Sequence, residues 1–167
     1  FYLVLEFVDG PNLDALVRQC GPLAVGEACA FVRQVALGLR YAHERGMVHR
    51  DIKPTSLLVA RATASAPLVV KVADFGIPKS ARGTTDFTAP ELLAGEAGDS
   101  RADLYSLGVV FYEMLTGQLP VGRFPMPSEK AGTNPALDDV VLHALEREPE
   151  RRYPHASDVK TDGRASA

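Results

Sequence analysis

The sequence predicts an α+β domain that is mostly helical, with short β hairpins gathered around a site. Three observations carry this. Apolar residues recur at three and four along Ala28, Phe31, Val32, Val35 and Leu39, and again along Leu137, Val140, Val141, Ala144 and Leu145. That is the spacing of amphipathic helices. From Leu104 through Leu107, Val109, Val110, Phe111 and Met114 the pattern is apolar nearly all round, which places a helix in the middle of the protein rather than on it. Short β-like pieces at residues 47–48, 57–59 and 68–72 are separated by polar or Pro-containing turns.

The elements follow in order. Residues 1–8 are β-rich and are broken by Asp9-Gly10-Pro11-Asn12, after which Leu13, Leu16 and Val17 mark a short helix closed by Gly21-Pro22. Gly46 is placed to cap the long helix that carries Phe31 and Leu39. Ser100, with Asp103 three positions on, resembles a capping box before the buried helix, and Gly117 stops that helix. The Pro- and Gly-rich stretch 118–135 reads as loop, Pro149 ends the last amphipathic helix, and the tail 163–167 is expected to fray.

Composition narrows the function classes. The 167 residues are 46% hydrophobic and 23% charged, the balance of a globular chain long enough for a sizeable core. A net charge of -3 and the lack of a Lys/Arg run offer no general attraction for nucleic acid or a membrane surface. Cys20 and Cys29 have no CxxC spacing and read as reduced thiols, which fits a cytoplasmic setting. The longest apolar stretch, 104–115, is interrupted by Glu113 and falls short of the roughly 20 residues a spanning helix needs. The opening on Phe1, with no signal-peptide pattern, reads as a fragment whose parent could be anchored elsewhere.

Three constellations carry chemistry. His49-Arg50-Asp51-Ile52-Lys53-Pro54-Thr55-Ser56 lies between a helix and a strand. A carboxylate two residues before a lysine could orient a hydroxyl nucleophile while the ammonium balances charge on a transferred phosphoryl group; a surface salt-bridge loop is the plainer alternative. Asp74-Phe75-Gly76 sits at a strand end, where one carboxylate can hold Mg²⁺ once phosphates and water complete its shell; an ordinary turn reads the same way. Glu91 in Ala89-Pro90-Glu91 would seek a cation, and Arg152 is the candidate partner; the alternative is a solvated charge.

In this order and spacing, with Asp103 in Asp-Leu-Tyr-Ser-Leu-Gly downstream, the chain resembles a protein kinase over residues 1–162. Lys53 and Thr84 look like the serine/threonine branch, in the style of eukaryotic-like bacterial kinases. The resemblance implies the mostly helical C-terminal lobe of the kinase fold at 9–162, with residues 1–8 as the last N-terminal-lobe strand and the hinge. It implies ATP and Mg²⁺ as cofactors, a protein Ser or Thr hydroxyl as substrate, and no nucleic acid. It makes Asp51 the catalytic base, Lys53 the γ-phosphate contact, Thr84 their brace and Asp74 the metal ligand. Leu5 becomes the gatekeeper, the backbone of Glu6 and Val8 meets the adenine edge, Leu58 floors it, and Asn12 either contacts ribose or caps a helix. His49 and Phe75 belong to the column that aligns the lobes, Asp103 anchors the catalytic loop, and Glu91 with Arg152 completes the frame.

The chain also departs from the family pattern. No GxGxxG occurs among its fourteen glycines, and Lys71, three residues before Asp74, reads as a surface strand residue. Ser56 stands where the family has the asparagine that holds a second metal ion. Asp74 to Glu91 spans only 18 residues, with Pro78 inside and with Ser80, Thr84 and Thr85 as its hydroxyls. The expectation is a serine/threonine kinase whose isolated lobe is inactive, with a pseudokinase or interaction scaffold as the alternative.

Overall fold

Why the core forms where it does is visible in the computed structural model, which describes residues 5–61, 63, 65–76 and 85–159. The readings made above for residues 1–4, Pro78, Ser80, Thr84 and the tail lie outside the described residues. Helix α4 (Ser100–Thr116) is the central post. Its side chains are buried on all sides, Tyr112 among them, as its unbroken apolar pattern requires. Helix α2 (Val25–His43) packs on one side of it through Phe31, Val35 and Leu39. Helix α6 (Ala136–Ala144) packs on another, and the approach is close at Gly108, where an added Cβ would lie 2.7 Å from the Ala144 Cβ.

The short helix α1 (Leu13–Cys20) starts at Asn12, whose side-chain oxygen accepts from the Ala15 amide at 2.8 Å. It ends at Gly21, whose φ of 77° suits glycine. Strands β1 (Leu57–Ala60) and β2 (Val69–Val72) pair antiparallel, with Leu57 opposite Val72 and Ala60 opposite Val69. The hairpin is fastened on both edges. Gln34 of α2 donates to the Leu68 carbonyl at 3.1 Å and accepts from the Val70 amide at 2.9 Å. On the other side the Val59 amide donates to the Pro11 carbonyl at 2.8 Å, and an added Cβ on Gly10 would lie 2.0 Å from the Val59 carbonyl oxygen. Only glycine fits that approach.

Helix α3 (Pro90–Leu93) is a single turn that carries Glu91 inward. Several expectations need correction. The stretch 118–135 holds a helix, α5 (Pro127–Ala131), in which Glu129 accepts from the Met126 amide at 3.0 Å and so closes the first turn. Helix α4 is capped by Asp99, which accepts from the Arg101 amide at 2.8 Å, so Ser100 is its first residue and Asp103 is left for another task. Residues 5–8 and 47–48 form no strand; among the described residues the outer edge of β1 is met instead by Asn12, bridged antiparallel to Leu58. Helix α6 stops at Ala144, before Pro149, which instead opens a 3₁₀ turn. Helix α2 stops at His43, and Gly46 closes the turn beyond it by donating to the His43 carbonyl at 2.9 Å.

Candidate active site

The 49–51 loop hangs from one buried carboxylate. Asp103, fully enclosed in α4, accepts from the His49 amide at 2.9 Å, the Arg50 amide at 2.6 Å and the His43 imidazole at 2.8 Å. Both oxygens are used, so the loop is held in register with the central helix. That tether sustains an uncommon backbone, since Arg50 has φ of 64°. Asp74 shares the left-handed conformation at φ of 68°. The two non-glycine residues of positive φ among those described therefore flank one site.

His49 joins the two segments. Its Nε2 donates to the Ala73 carbonyl at 2.7 Å, and its Nδ1 accepts from the Asp51 amide at 3.2 Å. A carbonyl cannot donate and an amide N–H cannot accept, so these partners fix the hydrogen on Nε2. The ring also meets Phe75 edge-on, with centroids 4.5 Å apart. The pairing of His49 with Phe75 expected from sequence is present as a direct contact.

Beyond His49 the chain presents Asp51 and Lys53 together. Lys53 Nζ donates to Asp51 Oδ2 at 2.6 Å, with both side chains about one quarter exposed, so each has a face open to a substrate. Ser56 is buried beneath them. Its hydroxyl accepts from the Lys53 amide at 3.1 Å and reaches the carbonyls of Lys53 at 2.9 Å and Asp51 at 3.3 Å. A serine in this position works first as an internal clamp on the loop.

A cleft of about 340 Å³ runs alongside. Leu5, Glu6 and Val8 line it with Leu58, Val72 and Asp74, so the sequence-predicted residues converge from three separate segments. Asn12 does not line it, and its side-chain oxygen is the N-cap of α1. Lys71, read from sequence as a plain surface residue, does line it and forms an ion pair with Glu6. His43 was not singled out from sequence either. Its partner is 60 residues away, and only its place on the last turn of α2 could have hinted at a role.

Glu91 and Arg152 form the frame below. The guanidinium meets the Glu91 carboxylate through two bonds of 2.7 Å and the carbonyls of Glu146, Arg147 and Arg101 at 2.7, 2.8 and 3.2 Å. All five of its N–H donors are satisfied. Burial works to raise the Glu91 pKa, but the Arg152 hydrogen bonds and charge more than offset it and hold the carboxyl below its ordinary value.

Comparison with known proteins agrees with this geometry. The protein kinase domain profile matches residues 1–162. The chain belongs to the protein kinase family. It is 35% identical to the serine/threonine-protein kinase PknB of Mycolicibacterium smegmatis, over 96% of this chain and 29% of that protein. It is 40% identical to Pkn1 of Myxococcus xanthus, over 91% of this chain and 25% of that protein. The kinase domain of Mycobacterium tuberculosis PknI superposes with a TM-score of 0.81 at 32% identity, over 97% of this chain and 64% of that one. The chain thus spans less than a third of the curated kinases it matches, and its fold is the α+β, mostly helical protein-kinase fold expected from the motifs. Among the described residues no helix is long and apolar enough to cross a membrane.

Proposed function

We propose that this chain is the helical lobe, with the hinge at residues 1–8, of a serine/threonine protein kinase that transfers the ATP γ-phosphoryl group to a protein hydroxyl. The observation that carries the reading is the Asp51–Lys53 pair at 2.6 Å, on a loop that His49 joins to Ala73, the neighbour of the cleft residue Asp74. Asp51 orients the substrate hydroxyl and accepts its proton as the oxygen bonds to the γ-phosphorus. The bond from that phosphorus to the β,γ-bridging oxygen breaks, and ADP leaves. Lys53 balances charge on the phosphoryl oxygens, and Thr84 is assigned as brace to both residues.

Leu5, Glu6, Val8 and Leu58 form the walls suited to the flat, apolar adenine, with the backbone of Glu6 and Val8 supplying polar partners. Asn12 is left a ribose role only if it gives up its cap. Asp74 brings a carboxylate to the cleft, a donor set that fits a hard divalent cation whose other ligands are phosphate and water. Bound Mg²⁺ would neutralise the phosphate charge there. Phosphate transfer to a Ser/Thr substrate by the full-length gene product, measured beside its Asp51→Asn variant, tests the assignment. Loss of transfer by about 10²-fold or more is expected in the variant, and equal rates would exclude Asp51 as the base.

A second reading, a pseudokinase that serves as a binding scaffold, draws on Ser56, whose hydroxyl is occupied by three backbone groups. In the active reading, Ser56 would help to hold the metal through its hydroxyl oxygen, and Ser56→Asn should raise activity by extending that reach. Mg²⁺ titrations of both forms decide the point. Identical metal dependence would remove Ser56 from the metal shell.

A further inference from the structure

A second cavity, of about 480 Å³, lies where the end of α2, the start of α4 and residues 155–157 meet. Arg40, His43 and Glu44 line it from α2, Ser100 from α4, and His155 and Ser157 from the third segment. None of these has a part in the transfer reaction set out above. The lining holds one guanidinium, two imidazoles and two hydroxyls beside the Glu44 carboxylate; of these the Ser157 hydroxyl already donates to Asp158 at 3.3 Å and the His43 Nε2 hydrogen to Asp103 at 2.8 Å. Glu44 is 60% exposed and lies 3.5 Å from the Arg40 guanidinium. An exposed pair of this kind is weak and is readily exchanged for a better anion. The structure therefore already seats one anionic group against Arg40, in a cavity that Ser100 and His155 line from two other segments.

The inner wall is His43, whose imidazole is only 12% exposed and donates through Nε2 to Asp103. Asp103 in turn carries the amides of His49 and Arg50. A group that hydrogen-bonds the His43 ring from the cavity acts on the same carboxylate that holds the 49–51 loop. We propose that this cavity binds a phosphate monoester of a small molecule, with Arg40, His155 and Ser100 as its donors and a P–OH of the ester donating to His43 Nδ1, the ring nitrogen not used on Asp103, and that binding is felt at the 49–51 loop through the His43–Asp103 hydrogen bond. Converging donors around Arg40 suit a phosphoryl group, which accepts from several directions at once. The volume leaves room for the organic part that a bare ion lacks.

The test uses the isotopically labelled 167-residue chain, titrated with glycerol phosphate and separately with inorganic phosphate, at ionic strength held constant with chloride. Saturable shifts are expected in the His43 and His155 ring signals, with the His49 and Arg50 amides moving at the same midpoint. Glycerol phosphate should bind more tightly than inorganic phosphate. Replacing Arg40 and His155 together by glutamine should weaken binding about tenfold or more, with α2 and α4 amide signals unchanged as the check on folding. Glu44→Gln should tighten it, since the competing carboxylate is gone. A linear response equal to that of chloride, or midpoints unmoved in these variants, overturns the site. Equal affinity for the two phosphates overturns the small-molecule ester as ligand, and stationary His49 and Arg50 amides overturn the coupling.

Discussion

Arg152 is the residue on which the lower half of the molecule closes, because it reaches Glu91 across 61 positions and binds three carbonyls besides. Removing it strands a carboxylate that is only 6% exposed. Arg152→Met should therefore cost about 3–5 kcal/mol, read as a lowered denaturant midpoint. The pair also sets an acid limit. Glu91 has its pKa lowered in the folded state, so its contribution to stability is present above the ordinary value of 4.5 and is lost as pH falls through the lower folded value. Melting temperature should decline as pH falls from 4.5 toward that lower value in the parent chain, and Glu91→Gln should be less stable at neutral pH with a shallower acid limb. An unchanged acid limb would show that other carboxylates control it. The partnership was legible in the sequence as a candidate ion pair, but the saturation of all five donors depends on the turn at Pro149 and on the end of α6, which no local pattern reveals.

At the level of the element, helices α2, α4 and α6 were legible because their burial is written in periodic apolar residues. Helix α5 was not, since five residues are too few to show a period and its first-turn closure depends on Glu129 alone. Asp103 was read in two ways. Its position beside Ser100 suggested helix capping, which Asp99 performs instead, while the family resemblance made it the anchor of the catalytic loop, and its partners are amides more than 50 residues upstream. Two glycines within these helices give a paired prediction. Gly38 in α2 has room for a Cβ, whose nearest neighbour would be Val72 Cγ2 at 3.7 Å. Gly38→Ala should stabilise the protein by about 0.5–1 kcal/mol. Gly108 in α4 has no such room beside Ala144 and Leu145, and overpacking there should cost about 1–3 kcal/mol, which outweighs the gain in helix propensity. Thermal melts of the two alanine variants should move in opposite directions. Shifts of the same sign would mean that α4 and α6 separate freely, against the packing described here.

Across the whole molecule, the candidate site draws on parts with very different support. Asp51, Lys53 and Asp74 rest on Asp103, His49 and the β1–β2 hairpin, all of which are tied to α2 and α4. These residues were legible because each motif is short and contiguous. Lys71 and His43 were not, since their meaning comes from Glu6 and Asp103, partners distant in sequence. The wall formed by residues 5–8 has the weakest attachment. Leu5 and Phe7 are 65% and 85% exposed, and the Glu6–Lys71 ion pair is itself open to water. Such a pair contributes about 0–1 kcal/mol, whereas the core around α4 buries Phe31, Leu39, Leu107 and Tyr112 without any help from this segment. Exposed apolar side chains such as Leu5 and Phe7 recruit other chains. Deleting residues 1–8 should therefore raise solubility while leaving helical circular dichroism and the cooperative melt nearly unchanged. It should also remove the cleft's Leu5, Glu6 and Val8 side and with it nucleotide affinity, measured by fluorescence titration with a labelled ATP analogue. If the deletion instead abolishes cooperative melting, residues 1–8 belong to the core, and the division between a self-supporting helical body and a loosely attached cleft wall is wrong.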